Sequence, residues 1–109
     1  MAAQIINYVS PEGVDVFDQW LRSIRDKTAR AAIERRILRL GKGNPGDHRY
    51  LREGVTEMRI DVGAGYRAYY GQMGEVVILL LCGGDKRSQD ADIEQAIDYL
   101  AAWKSANRK

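Results

Sequence analysis

The chain of 109 residues has one cysteine and one histidine. The lone Cys82 excludes an internal disulfide and any cysteine-clustered zinc site. The lone His48 excludes a histidine-rich metal centre and a paired-histidine nuclease. No apolar run approaches the ~18 residues that a membrane span needs. The N-terminal stretch MAAQIINYVS lacks the basic-then-apolar pattern of a secretory signal. Charge of one sign is also missing: 17 Lys plus Arg stand against 15 Asp plus Glu, a net of +2. That balance does not by itself announce a nucleic-acid binder. With 45% apolar and 29% charged residues the chain is globular rather than disordered. The expectation is one domain over residues 1–109, cytoplasmic, with no cofactor, no metal and no membrane partner.

The apolar pattern divides the chain into elements. Gln4 to Val9 (QIINYV) is β-rich and predicts a first strand. Ser10-Pro11 reads as a helix N-cap followed by proline at the first helical position. Val14, Phe17, Leu21 and Ile24 then recur at helical spacing. A second helix is predicted from Lys27 to Leu40, with Ala29, Ile33, Ile37 and Leu40 inward. Gly41 and Gly43 can end it, and Asn44-Pro45-Gly46-Asp47 is a turn. The two helices together suggest an antiparallel pair.

From Glu57 the period changes to two. Glu57 to Val62 (EMRIDV) and Tyr66 to Tyr70 (YRAYY) flank Gly63-Ala64-Gly65 and predict a hairpin with a three-residue loop, pairing Val62 with Tyr66. That register puts Met58, Ile60, Val62, Tyr66, Ala68 and Tyr70 on one face. Glu57, Arg59, Asp61, Arg67 and Tyr69 take the other. A two-residue loop would place Arg67 among apolar side chains, because a one-residue slip inverts a strand. Val76 to Cys82 (VVILLLC) is apolar on both faces and predicts a central strand, with Cys82 an inert core thiol. A loop from Gly83 to Gln89 precedes a last helix carrying Ile93, Ala96, Ile97, Leu100 and Ala101, whose polar end is expected to fray. The fold class is therefore α+β, a small antiparallel-dominated sheet in the order β-α-α-β-β-β-α, with helices mostly on one face. Trp20 and Trp103 are expected half-buried.

Arg59 and Arg67 fall nearly opposite each other on neighbouring strands. Like charges so placed repel unless an anion lies between them. Asp61 and Glu57 can supply it internally; a phosphate is the alternative, because guanidinium forks match phosphate oxygens. Arg67 faces away from the apolar layer, so its replacement is expected to leave the fold nearly intact. Lys86 lies past the central strand on a glycine-rich loop and can complete an anion site, whereas Arg87 beside it reads as a solvated loop residue. The first two helices are rich in Arg and Lys, including Arg39 and Lys42, and the last is acidic. Tyr69 is a candidate hydrogen-bond donor or stacking surface for a base. His48, in a polar turn, reads as solvated.

The run LREGVTEMRI at Leu51 to Ile60, GYRAYY at Gly65 to Tyr70 and GGDKRSQDADIEQA at Gly83 to Ala96 resembles the RelE/ParE toxin superfamily of bacterial toxin–antitoxin modules. It is most similar to the branch of HigB and the phage-derived addiction-module killer proteins. Phe17, Trp20, Leu21, Arg39-Leu40 and Gly43-Asn44 fit as well, so the resemblance spans nearly the whole chain. It implies a RelE/ParE-like fold and a metal-free, ribosome-dependent endoribonuclease that inhibits translation. The 2′-hydroxyl would attack the adjacent phosphorus to give a 2′,3′-cyclic phosphate. Carried over, the catalytic positions are Arg67, Lys86 and Arg59; the residues themselves add Tyr69, Arg87, Arg39 and Lys42 as candidate RNA contacts. Some members place a tyrosine or histidine near the start of the last helix, where this chain has Asp90-Ala91-Asp92. The base is open among Glu57, Asp61, Tyr69 and His48. The implied partners are a HigA-like helix-turn-helix antitoxin, messenger RNA on the ribosome, and operator DNA only through the antitoxin. A non-enzymatic DNA gyrase poison, as in the ParE branch, and a degenerate antitoxin-binding member are the alternatives.

Overall fold

The computed structural model describes residues 3–74 and 76–108. The first strand, β1, is Gln4–Asn7. It stops short of Val9 because Pro11, Glu12 and Gly13 turn the chain, with Gly13 at φ 84°. Ser10 does not cap the first helix: its Oγ accepts from the Val14 amide at 3.2 Å within that turn. The helix, α1, is Val16–Ser23, and its cap is Asp15, whose carboxylate accepts from the Asp18 amide at 3.0 Å. Asn7 donates to the same carboxylate at 3.0 Å, tying strand to helix. The second helix, α2, is Lys27–Gly41. Asp26 caps it through the Thr28 and Ala29 amides, and Gly43, at φ 91°, carries the chain out of it.

Four further strands follow: β2 His48–Arg52, β3 Val55–Ile60, β4 Tyr66–Met73 and β5 Val77–Asp85. The sheet order is β1-β5-β4-β3-β2. Only β1 and β5 are parallel, and β5, paired with both β1 and β4, is an inner strand, as its apolar run implies. The expected topology is corrected in one respect: β2 is an extra edge strand where the sequence suggested polar loop. It joins β3 through Glu53-Gly54, both at positive φ (53° and 85°), the conformation that a two-residue hairpin of matching twist requires. The chain is thus α+β, β-α-α-β-β-β-β-α, with a five-stranded, mostly antiparallel sheet and three helices.

The β3–β4 hairpin has the predicted faces but another register. Ile60, not Val62, pairs with Tyr66, and Arg59 lies directly opposite Arg67. The connection spans residues 61–65 because the Val62 amide donates to the Ile60 carbonyl and the Gly65 amide to that of Val62. A shift of two residues preserves every side chain's face.

Helices cover both faces, not mostly one. Phe17, Ile24, Ala29, Ile33 and Leu40 pack with Met58, Ile60, Ala68, Tyr70, Ile78 and Leu80 in one core. On the other face Ala96 and Leu100 pack with Tyr8, Val55, Tyr69, Leu79, Leu81 and Cys82. They belong to the last helix, α3, Gln89–Ala106. Trp20 and Trp103 are half-buried, each packed against one of these cores. The predicted loop after the central strand is shorter than expected. Strand β5 runs on to Asp85, and a single 3₁₀ turn, Lys86–Ser88, leads into α3. No described helix is long and apolar enough to cross a membrane.

Candidate functional site

The α3 face of the hairpin is apolar where the helix covers it and polar beyond the helix's first turn. At the boundary Glu57 is buried, 2% exposed. One oxygen, Oε2, takes three neighbours: Gln89 Nε2 donates at 2.8 Å, Tyr69 Oη donates at 3.2 Å, and Arg67 Nε lies 3.6 Å away. Strand register explains the grouping. Glu57 pairs with Tyr69 across the ladder, and Arg67 is two residues before Tyr69 on the same face. Gln89 reaches down from the start of α3.

Two expectations are corrected here. Tyr69 is fully buried, so it offers no stacking surface to a base; it is a hydrogen-bond donor to Glu57. Burial, and then the neighbouring Glu57 carboxylate, raise its phenol pKa well above the ordinary range. Arg67 is not a free surface residue either. Its side chain is 12% exposed and ion-paired to Glu57. It is part of the scaffold as well as of the site.

Beyond this pair a hollow of ≈ 340 Å³ opens, lined by Arg59, Arg67 and Lys86 together with Asp47, Asp61, Gly65, Tyr66 and Ile60. The three residues assigned to catalysis by resemblance therefore converge. Arg59 donates to Asp47 Oδ1 at 3.1 Å. Lys86 lies over Gly65, its Cε 3.2 Å from where a Cβ would stand, and makes no ion pair among the described residues. Arg59 Nε and Arg67 Nε and Nη1 are buried and have no hydrogen-bond acceptor among the described residues. A donor left so costs about 1–3 kcal/mol; these three are closed to solvent, and Arg67 Nε has the Glu57 carboxylate 3.6 Å away.

The remaining predicted contacts separate. Arg39 lines a neighbouring hollow of ≈ 250 Å³ with Arg35, Arg36 and Asp61, and Asp61 and Ile60 belong to both hollows. Lys42 is exposed at the C-cap of α2 and lines neither. Arg87 is exposed and pairs with Asp85 at 3.3 Å. The Asp85 carboxylate caps the 3₁₀ turn through the Arg87 amide. That hydrogen bond, followed by the Arg87 side chain, holds its pKa below the usual carboxylate range. Asp92 accepts from Ser88 Oγ at 2.5 Å, and partial burial raises its pKa. Arg36 holds the rim rather than facing the hollow. It donates to the carbonyls of Arg59 (2.6 Å), Pro45 (3.0 Å) and Asp47 (3.1 Å).

Of the four residues open as a base, only Asp61 lines the hollow. Glu57 and Tyr69 are buried and engaged with each other. His48 pairs with Met58, on the opposite face of the sheet, and its Nδ1 meets the Gly46 carbonyl at 2.7 Å. Cys82 is buried, and burial pushes its thiol up to about 12, with a smaller push from Asp92. Among the described residues no group of three or more His, Cys, Asp or Glu is placed to hold a metal. The sequence reading passed over Gln89 and Asp47 as site residues. Gln89 lies 32 residues after Glu57, with β4 and β5 between them, and nothing in the pattern links the two. Asp47 immediately precedes β2, and its role follows only once that strand is seen.

Fold and site together define a small α+β protein with an arginine-lined hollow at one end of a mixed sheet. It is 49% identical over 80 residues to an uncharacterized protein of Haemophilus influenzae, a match covering 73% of this chain and 81% of that protein. The chain belongs to the same family as that protein. No family model matches the chain.

Proposed function

We propose that the protein is the toxin of a toxin–antitoxin module, of RelE/ParE-like fold, and that it cleaves messenger RNA without a metal. The observation that supports this most directly is the pair of arginines, 59 and 67, set opposite each other and lining one hollow with an unpaired Lys86. A phosphodiester in that hollow brings its negative charge to all three cations. In the cleavage step the 2′-hydroxyl loses its proton and attacks phosphorus. Negative charge builds on the phosphorane oxygens, and the 5′-oxygen leaves with a proton. Arg67 and Arg59 stabilise the oxygens, since guanidinium stays charged at any working pH. One such contact is worth about 10²–10³ in rate. Lys86 adds charge or supplies the leaving-group proton. Asp61 takes the 2′ proton. Glu57 touches no substrate; it fixes the edge of Arg67 turned away from the hollow.

A free toxin of this kind must be silenced in its host, so the reading includes a HigA-like helix-turn-helix antitoxin as binding partner and operator contact through that antitoxin. Inducing the protein in cells and mapping new 5′ ends on messages tests the reading, with a gyrase cleavage assay alongside. Growth arrest with new message ends supports it. Arrest with trapped gyrase–DNA complexes and intact messages overturns it in favour of a gyrase poison.

A further inference from the structure

A second hollow, of ≈ 400 Å³, lies between edge strand β2 and the first turns of α3. Leu51 and Ile93 line it, and both pack against the α3-side core. Arg49 and Asp90 line it too, exposed and without an ion pair among the described residues. Arg52 and Glu94 are also there, but paired to each other. The phosphate site uses none of these side chains.

Register connects this hollow to that site. Arg49 is the cross-strand partner of Glu57, so its side chain rises on the same face as Glu57, Arg59 and Arg67. Arg49 and Arg59 are diagonal neighbours across the β2–β3 ladder, about 7–8 Å apart at Cα. Gln89, which binds Glu57, is one helical turn before Ile93. The buried Glu57 therefore links the two hollows: it is the register partner of Arg49, which lines one, and touches Arg67, which lines the other.

We propose that this hollow is a nucleotide subsite, taking the base next to the phosphate held by Arg59 and Arg67. The proposal rests on the ribonuclease reading and names what that site selects. Leu51 and Ile93 offer apolar contact to the faces of a base. Arg49 offers an unengaged cation to its flanking phosphate. Asp90 offers a carboxylate acceptor for the exocyclic amino group of adenine, cytosine or guanine, on an edge where uracil turns a carbonyl oxygen that the carboxylate repels. A hydrogen bond of this kind discriminates between bases by roughly fivefold or more.

Two measurements test it. The first maps message ends after induction of the wild type, Asp90→Asn and Arg49→Ala. The wild type should avoid uridine beside the cut by roughly fivefold or more, Asp90→Asn should even out the profile, and Arg49→Ala should lower cleavage about tenfold. The second titrates the full-length protein with 2′-deoxy trinucleotides, which lack the attacking hydroxyl, and follows methyl signals. Leu51 and Ile93 should shift with the trinucleotide and not with inorganic phosphate, and Arg49→Ala should weaken that binding. Message cleavage with an unchanged base profile in Asp90→Asn, or a trinucleotide that leaves both methyls unmoved, overturns the subsite and leaves the ribonuclease reading standing. A wild type that cuts no message removes that reading and the subsite with it.

Discussion

The β3–β4 hairpin shows different chemistry on its two faces, built from alternate residues of the same strands. Toward α1 and α2, Met58, Ile60, Ala68 and Tyr70 are buried in continuous apolar packing. Toward α3, Glu57, Arg59 and Arg67 occupy the equivalent positions, with Tyr69 at the boundary. The first face is closed by two helices, and nothing about it depends on charge. The second is closed by one helix that stops short, so its polar residues are sheltered on one side and open on the other. Sheltering fixes Arg67 against Glu57, and opening leaves the arginine's donors beside a hollow. A site placed on the rigid sheet in this way is held by the fold and not by a loop.

The comparison can be broken most severely on the apolar face. Met58 is fully buried, so Met58→Ala removes packing and leaves a cavity. The expected loss is about 2–5 kcal/mol of stability, read by chemical denaturation, with no preferential effect on message cleavage. On the polar face a comparable loss arises from charge. Glu57→Ala leaves Arg67 buried without its partner, and Arg67→Ala does the same to Glu57. Each should lose about 3 kcal/mol. Combining both should lose clearly less than the two single changes together, because the second removal deletes a charge already stranded. Simple additivity in that double-mutant cycle would show that the two side chains are energetically independent despite their 3.6 Å approach.

Lys86 sharpens the contrast because it belongs to the hollow without belonging to the core. It is exposed and unpaired among the described residues. Lys86→Ala should change stability by less than ~0.5 kcal/mol while lowering message cleavage about 10²-fold. Arg87→Ala should do neither to that degree. Thermal unfolding measured beside the 5′-end map separates these outcomes; equal losses of activity in the two variants would dissolve the distinction between hollow and loop.

The alternation in EMRID and YRAYY was enough to assign both faces of the hairpin, because face depends only on parity. Register was not legible. Backbone bonds at Ile60, Val62 and Gly65 set the five-residue connection, and the side chains carry no trace of them. Strand β2 was hidden for a different reason. As an edge strand it exposes His48, Arg49, Tyr50 and Arg52, so it shows no apolar alternation. Its turn uses Glu53-Gly54 where the stronger signals are Asn-Gly or Asp-Gly. Arg59, Arg67 and Lys86 were legible as a group from their place on one face and at one strand end. The burial of Glu57, Arg67 and Tyr69 was not. It follows from α3 docking on a face that looks solvent-exposed in one dimension, and Gln89 joins the site only through that docking.

The smallest expected effect compares two carboxylates at the start of α3. Asp85 has a lowered pKa, from the Arg87 amide first and its side chain next. Asp92 has a raised one, from desolvation, although Ser88 donates to it. The signs of their linkage to folding are opposite. For Asp85 the unfolded chain binds its proton more tightly. Its stabilising contribution is present above the ordinary aspartate value of 3.8 and is lost as pH falls through the lower folded value. For Asp92 the folded chain binds the proton more tightly. Stability therefore declines as pH rises from the ordinary aspartate value of 3.8 through its raised folded value. Asp85→Asn should lower the unfolding free energy at pH 7 more than at pH 3. Asp92→Asn should do the reverse, relieving at pH 7 a penalty that the protonated acid does not incur at pH 3. Both carboxylates are half-buried and keep some contact with solvent, so the changes should be small, and denaturant midpoints at the two pH values will read them. A pH-independent difference in either variant would mean that its carboxylate acts through its hydrogen bonds alone and not through its charge.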